Sequence, residues 1–444
     1  MARGKKKETL IPEERLQAAL VPESEQPYKV PANWCWTYLT KGAAECLDSF
    51  RKPINASERA NREGDIPYYG ATGQVGWIDD FLTNEQLVLV GEDGAPFLDL
   101  IKDKAYIIEG KAWVNNHAHI LRSRFGTVGN LFLMHYLNIF NYHDFVNGTT
   151  RLKLTQGSMD IMPVPVPPLS EQQRIVDRIE SMFAKLDEAK QKAQDALDSF
   201  ETRKAAILHK AFTGELTAQW RREHSVGIES WEERTIVDLC SMIIDCPHST
   251  PEWSDKGKIC LRTTNIKDGY LDLSDVRYVT DDIFDQRNRR AVPQAGDVLL
   301  TREGNIGDVG VIPENVEICL GQRMMLLRPN KCQSAFLIYF FRNPKILTDI
   351  KAGTMGSTAP RMNIKDIKQL KIHCPNDKEQ AEIVRILDDL LAKEQQAKEV
   401  AEGVLEQIDL IKKAILARAF RGKLGTNDPS EESAVELLKQ ILSC

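Results

Sequence analysis

EQQRIVDRIESMFAKLDEAKQKAQDALDSFETRKAAILHKAFTGEL, running from Glu171 to Leu216, returns 208 residues later as EQAEIVRILDDLLAKEQQAKEVAEGVLEQIDLIKKAILARAFRGKL, from Glu379 to Leu424, with no gap and 18 of 46 positions identical. Both ends of the segment are kept in register, so one unit has been duplicated whole. In the first copy Ile175, Ile179, Met182, Leu186, Ala189, Ala193, Ala196, Phe200, Arg203, Ile207 and Lys210 alternate at spacings of four and three, the seam of a coiled-coil helix. The second copy repeats the seam as Ile383, Leu387, Leu390, Glu394, Ala397, Ala401, Val404, Ile408, Ile411, Ile415 and Arg418, with no proline and only Gly403 inside. At 1.5 Å per residue a helix of roughly 40 residues spans about 60 Å, a spacer rather than an ordinary core helix. The alternative is a pair of long core helices, but a repeat that preserves length implies that length itself is used. Alanines in mid-seam allow close approach of two helices, and Gly214 and Gly422 stand where a left-handed C-terminal cap is wanted.

Outward from the repeat, 444 residues exceed what one core serves, and the reading divides them into an arm (1–29), a globule (30–168), a first spacer (169–227), a second globule (228–376), a second spacer (377–424) and a terminal helix (425–444). The globules have a different texture. Short β-rich runs, QLVLVGED, AYIIEG, GDVLLTREG and VGVIPE, alternate with Gly, Asn and Asp turns, and each globule adds one helical stretch, LFLMHYLNIF or SAFLIYFFRN. The fold class is therefore α+β, two mixed globules alternating in cyclic order with two long helices that each carry a coiled-coil seam. A tryptophan opens each globule, Trp34 or Trp231, and a proline-bearing strand, MPVPVPPLSEQ or KIHCPNDKEQ, leads into each spacer. The spacers align without gaps while the globules align poorly, which suggests different targets on a common scaffold. Cyclic order would also bring the chain ends together, so PEERLQAALVP and SAVELLKQIL are expected to pack on one another or on a partner.

Composition, 42% hydrophobic and 27% charged, describes a soluble globular chain. No apolar run reaches membrane length and no signal-peptide pattern follows the basic start, so a cytoplasmic protein without membrane contact is expected. Nine scattered cysteines fit reduced thiols. Cys240, Cys246 and His248 lack the spacing of a zinc site, and no metal is expected.

These strings carry a family resemblance. The alternation of two variable globules with two repeated helices, each opened by a proline strand and EQ-x-x-IV and closed by A-I-L-x-x-AF-x-G-x-L, resembles the specificity subunit of type I restriction-modification systems. The likeness covers nearly the whole chain and includes IPYYGATGQVGWIDD at Ile66, GEDGA at Gly91, WVNNHAHILR at Trp113, LRTTNIKDG at Leu261, GDVLLTREGNIGDVG at Gly296 and GSTAPRMNIKDI at Gly356. The first globule departs near its end, where TTRLKLTQGSMDI stands in place of the PR-x-NI-x-DI string. The resemblance implies that each globule reads half of a bipartite, gapped DNA site. It implies further that the two helices pair as an antiparallel coiled coil in a pseudo-two-fold arrangement, which sets the gap and docks two methyltransferase subunits, with restriction and translocase subunits joining in the full complex. S-adenosylmethionine, and ATP with magnesium, would then sit only on those partners, with no cofactor in this chain.

Charge argues the other way. The chain is net −6, and residues 31–160 carry 12 basic against 15 acidic side chains, residues 228–370 19 against 20. Phosphate binding needs local clusters of Lys and Arg or help from partners. Side chains that read base edges are Arg for guanine, Asn or Gln for adenine and Thr for the thymine methyl. The candidates on turn loops are Tyr68, Tyr69, Thr72, Gln74, Asn115, Asn116, His117, Arg122 and Arg124 in the first globule. In the second they are Arg262, Thr263, Thr264, Asn265, Arg289, Arg290, Arg302, Asn305, Arg323, Thr354 and Ser357. Each equally suits a turn or a solvated surface.

No catalytic pattern appears. DIPY at Asp65 has one proline where an adenine methyltransferase shows two, GEDGA lacks the Lys and helix of a phosphate loop, and no GxxxxGK[ST] occurs. His117 and His119 could suggest a metal pair but have no carboxylate or cysteine at ligand spacing. No catalysis by this chain alone is expected. The rival readings are a self-contained adenine methyltransferase, which would bind the methyl donor, and a coiled-coil protein adaptor, which would read no DNA.

Overall fold

A computed structural model describes residues 11–352 and 361–443. The chain forms two compact units, and neither is a simple stretch of sequence: one joins residues 1–194 to 403–444, the other is residues 195–402. Each unit holds one globule, the first half of the spacer that follows it and the last half of the other spacer.

In the first unit the strand Cys35–Tyr38 pairs antiparallel with Pro163–Val166, so the tryptophan end and the proline-bearing exit of the globule are neighbours. Prolines lack an amide to donate, which a strand in a two-stranded pair tolerates. An antiparallel sheet in the order Ala44–Cys46, Ala118–Ser123, Leu87–Gly91, Ala105–Ile108 carries the core. Its central run Leu87–Val90 is fully buried because the helix Gly126–Leu137 covers one face and a second small sheet meets the other. That second sheet orders Gly73–Ile78, Ile66–Gly70, Lys111–Val114 and Thr83–Asn84.

The second unit repeats the plan with other residues. Glu232–Thr235 pairs with the exit strand Lys371–Cys374. A four-stranded antiparallel sheet orders Cys240–Asp245, Met324–Pro329, Val298–Thr301 and Val309–Val311, and the helix Ser334–Arg342 packs on it. A smaller sheet joins Arg277–Val279, Lys258–Leu261 and Ile318–Leu320.

The repeat now has a physical account. At the opening of each spacer the EQ pair is buried. Glu171 accepts from Trp34 Nε1 (2.7 Å) and Asn427 Nδ2 (2.8 Å), and Gln172 Nε2 donates to the Pro167 carbonyl (3.1 Å). In the second copy Glu379 accepts from Trp231 Nε1 (3.0 Å), Thr217 Oγ1 (2.7 Å) and Arg221 Nη1 (2.7 Å), and Gln380 Nε2 donates to the Pro375 carbonyl (2.8 Å). The closing AF-x-G seats an aromatic on each globule's helix: Phe420 on Phe132 and Tyr136 at 5.0 and 5.2 Å, Phe212 on Phe336 and Phe340 at 5.2 and 5.8 Å. Gly214 and Gly422 take the expected left-handed caps, at φ +80° and +66°.

Within each unit the spacer halves run antiparallel. Asp187 pairs with Lys412 and Lys190 with Asp409 in the first unit, while Lys398 lies over Phe200 and Arg203 binds Glu394 (2.8 Å) in the second. The polar seam positions Arg203 and Glu394 thus satisfy one another. Two expectations need correction. The second spacer is one helix, Asp377–Ala419, but the first is interrupted, Leu169–Asp198 then Phe200–Phe212. Ser199 Oγ (3.2 Å) and Arg203 Nη1 (3.1 Å) both reach the Ala196 carbonyl and compete for it with the helical ladder, while the Asp195 carbonyl takes Ser199 Oγ (2.8 Å) beside its ladder amide Ser199 N (3.1 Å). The seam also drifts. Ile175, Ile179, Phe200, Ile383, Leu387, Ile408 and Ile415 are buried as read, and Met182, Leu186, Leu390 and Val404 half-buried, but Ile207 is only half-buried and Ile411 exposed. Leu208 and Ala211, and Leu416 and Ala419, take their places, because a straight helix turns by 3.6 residues and its last turns follow the globule.

The two terminal helical stretches do meet. The helices Pro12–Ala19 and Ala434–Ser443 pack together with Ala19, Ala434 and Leu438 fully buried, and Arg15 Nη1 reaches the Leu442 carbonyl.

Candidate nucleic-acid interface

In the first unit the hairpin Ile66–Gly70 to Gly73–Ile78 carries Thr72 and Gln74 exposed at its tip, with a bulge between Tyr68 and Tyr69. The parallel neighbour Lys111–Val114 continues past the sheet, where the Asn115 amide donates to Tyr69 O (3.1 Å). Asn115 is buried and its Oδ1 accepts from the His117 amide (2.8 Å), a side-chain turn that leaves Asn116 exposed. His117 Nδ1 lies 2.8 Å from Asp93 Oδ1, which also takes Arg151 Nη2 (2.6 Å). Thr72, Gln74, Asn116 and His117 therefore gather at one end of the small sheet.

Under this tip is an ionic floor. His119 is buried, with Nδ1 2.6 Å from Asp48 Oδ2 and Nε2 2.9 Å from Leu154 O, while Arg51 pairs with Asp48 (2.9 Å) and with Glu92, and Lys153 with Glu92 (2.8 Å). Asp48, Glu92 and His119 are close enough to hold a cation between them. Yet both imidazole nitrogens already face acceptors, and Arg51 and Lys153 supply the positive charge, so the donor set fits a structural ion network. Burial pushes the Asp48 carboxyl up, but His119, the Ile120 amide and Arg51 outweigh it and hold it below its ordinary value. Glu92 is likewise raised by burial and brought lower on balance by Lys153 and Arg51.

Of the other four candidates in the first globule, the two tyrosines belong to the hairpin itself and pack inward, and the two arginines stand elsewhere. Tyr68 is a core residue packed with Trp113, and Tyr69 is half-buried against Tyr106. Arg122 is held by Glu85 (2.8 Å) and Glu45 (3.2 Å), and with the exposed Arg124 it lies at the far end of the strand Ala118–Ser123, roughly 15–20 Å from His117 at strand rise.

In the second unit several candidates turn out to be internal struts. Arg302 is buried, bound to the Met362 carbonyl and Asp245, and Asn265 is buried, donating to Asp272 O (3.0 Å) and Asp275 O (2.8 Å). Arg262 reaches Asp275 Oδ2 (2.8 Å). Arg302 and Asn265 are corrections, their polar groups spent on loop carbonyls and a carboxylate, whereas Arg262 Nε is buried with no hydrogen-bond partner among the described residues. Thr263, half-buried, and Thr264, exposed, sit on a short 3-10 turn, and Asn305 is exposed on the glycine loop. Thr354 and Ser357 lie outside the described residues.

What the fold does assemble is a cationic cleft of about 470 Å³ lined by Ser249, Thr250, Glu252, Arg289 and Arg290. Arg289 and Arg290 are exposed, and neither has an ion-pair partner among the described residues. Their neighbour Arg287 builds the cleft from below: buried, it donates to the carbonyls of Leu320 (2.7 Å), Gly321 (2.9 Å) and Ser249 (3.2 Å). Next to it the Gln322–Arg323 turn carries Gln322 Nε2 to the His248 carbonyl (2.6 Å). Sequence reasoning passed over Gln322 and weighed His248 only as a metal ligand, and only the approach of two loops distant in sequence reveals their contact. Cys240 and Cys246 lie in separate apolar clusters, so with His248 they make no ligand set.

Two α+β units on antiparallel spacers, each with polar or cationic loops on turns, define a class of protein that presents two different recognition surfaces on one repeated scaffold. The chain belongs to the family of the type I restriction modification DNA specificity domain, which matches residues 45–197 and 228–402. A putative type I restriction enzyme specificity subunit of Haemophilus influenzae is 26% identical over 355 residues, 78% of this chain and 84% of the relative. The EcoKI specificity subunit of Escherichia coli is 27% identical over 337 residues, 70% of each chain. The crystal structure of the HsdS subunit from Thermoanaerobacter tengcongensis shares the fold, with a TM-score of 0.58 at 18% identity over 90% of this chain and 100% of that one. The protein is thus a DNA-recognition subunit of a type I restriction-modification system, and the adaptor and self-contained methyltransferase readings are not favoured. No helix among the described residues is long and apolar enough to cross a membrane.

Proposed function

We propose that each globule reads one half of a bipartite, gapped duplex site in the cytoplasm, and that the paired spacers set the gap and offer the same surface twice, to two methyltransferase subunits. The chain itself performs no catalytic step. S-adenosylmethionine sits on the methyltransferase, and ATP with magnesium on restriction subunits where these join. The observation that carries the reading is the duplicated construction: a buried Glu-Gln pair opening each spacer and a seated phenylalanine closing it, with recognition loops that differ between the units. Readers on a fixed scaffold contact two groove segments only when their spacing matches the helical repeat, so the spacer length, equal in the two sequence copies, is part of the specificity. A repeated surface takes two copies of one partner.

Phosphate contacts position and base contacts specify. The unpaired Arg289 and Arg290 have the chemistry for phosphates. Replacing both by alanine in the full complex should weaken binding to cognate and unrelated duplexes alike and lower the slope of log K against log salt by about 2. Salt titrations of duplex binding check this. An unchanged slope, or a loss confined to cognate DNA, would contradict the assignment.

A further inference from the structure

The turn Gly321–Arg323 joins the strands Ile318–Leu320 and Met324–Pro329 and is pinned on every side. The Gly321 amide donates to Leu261 O (2.9 Å), the Arg302 amide donates to Arg323 O (2.8 Å), Arg287 grips the Leu320 and Gly321 carbonyls, and Gln322 holds His248 O. A Cβ on Gly321 would fall 2.2 Å from Leu261 O, so that position admits only glycine. Arg323 next to it stands at φ +67°, in the left-handed region that favours glycine, asparagine or aspartate. The other described residues of this kind are Ser225 and Asn315. Glycine would serve this backbone better, so the arginine is kept for its side chain.

That side chain is only loosely held. It is 61% exposed, its one ionic neighbour among the described residues is Glu303 (3.5 Å from Nε), and no hydrogen bond from a described residue holds its guanidinium. Thr250, on the wall of the Arg289–Arg290 cleft, lies 3.4 Å from Gln322 Oε1, so a backbone-holding site and a projecting fork are contiguous. A guanidinium fork matches the paired acceptors O6 and N7 that guanine alone presents in the major groove. Resting on the reading proposed above, we propose that Arg323 reads a guanine in the half-site of the second globule, with Arg289 and Arg290 fixing the flanking phosphates.

The test uses the full chain with its methyltransferase subunits, acting on duplexes randomised around the site and read by modified-base sequencing. For the unaltered chain one half-site contains a guanine preferred over other bases by roughly five- to a hundredfold. Arg323→Lys keeps the charge but not the fork, and Arg323→Gly removes both. Arg323→Gly should reduce that one preference to below about threefold, in one half-site only, while Arg323→Lys, whose ammonium can still reach O6 and N7, should lower it by less. Arg323→Gly should melt no lower than the unaltered chain, since glycine suits the turn. An unchanged motif in both variants overturns the inference while leaving the two-half-site reading intact. A motif change accompanied by a fall in the melting midpoint of Arg323→Gly overturns it too, since the side chain would then be structural. If the unaltered complex yields no bipartite motif at all, the reading beneath it falls.

Discussion

Replacing Glu379 by alanine should destabilise the second unit by about 3–5 kcal/mol, the cost of leaving a buried cation without its partner. Glu379 is fully buried at the start of its helix, where its two oxygens collect Arg221, Thr217 and Trp231 at 2.7–3.0 Å. Without them the Arg221 guanidinium keeps only the carbonyl of Gly214, the Thr217 hydroxyl and the face of Trp231. The equivalent change at Glu171 should cost less, about 1–3 kcal/mol, because its hydrogen-bond partners there, Trp34, Asn427 and Thr426, are neutral donors. Denaturant unfolding followed separately through each unit measures both. Equal costs, or a cost under about 1 kcal/mol for Glu379→Ala, would show that the buried glutamate is not what ties spacer to globule.

Phe420→Ala should cost the first unit about 3–5 kcal/mol. The ring is 1% exposed and packs edge-on against Phe132 and Tyr136 of the globule's helix, while Leu416 and Ala419 fill the turn before it. Removing it leaves a cavity that the flanking backbone, closed by the Gly422 cap, cannot collapse into. Phe212, its counterpart, is only half-buried, and Phe212→Ala should cost correspondingly less. Thermal midpoints of the two variants report the difference, and a larger loss at Phe212 would contradict the packing described.

The scaffold was legible because its signals are periodic and occur twice. Spacing of four and three gave the helices, Glu171 and Glu379 marked their starts, and Gly214 and Gly422 their ends. Where the reading failed, a side chain overrode the period: Ser199 and Arg203 compete for helix carbonyls, and the final turns rotate toward Phe212 and Phe420. The recognition surface was less legible, since Arg, Asn and Thr serve turns and DNA alike. Arg302 and Asn265 look like Arg289 and Asn305 in the sequence, and only burial separates struts from free side chains. The left-handed backbone at Arg323 carries no sequence signal at all, because the residue there is not glycine.

The central claim is that this chain selects the DNA sequence its partner enzyme modifies, through two half-sites. Modified-base sequencing of DNA from cells that express the chain with its methyltransferase, against cells lacking only the chain, tests it most directly. The account predicts a gapped, two-part adenine-methylation motif that vanishes with the chain. Methylation that persists unchanged without the chain would contradict it.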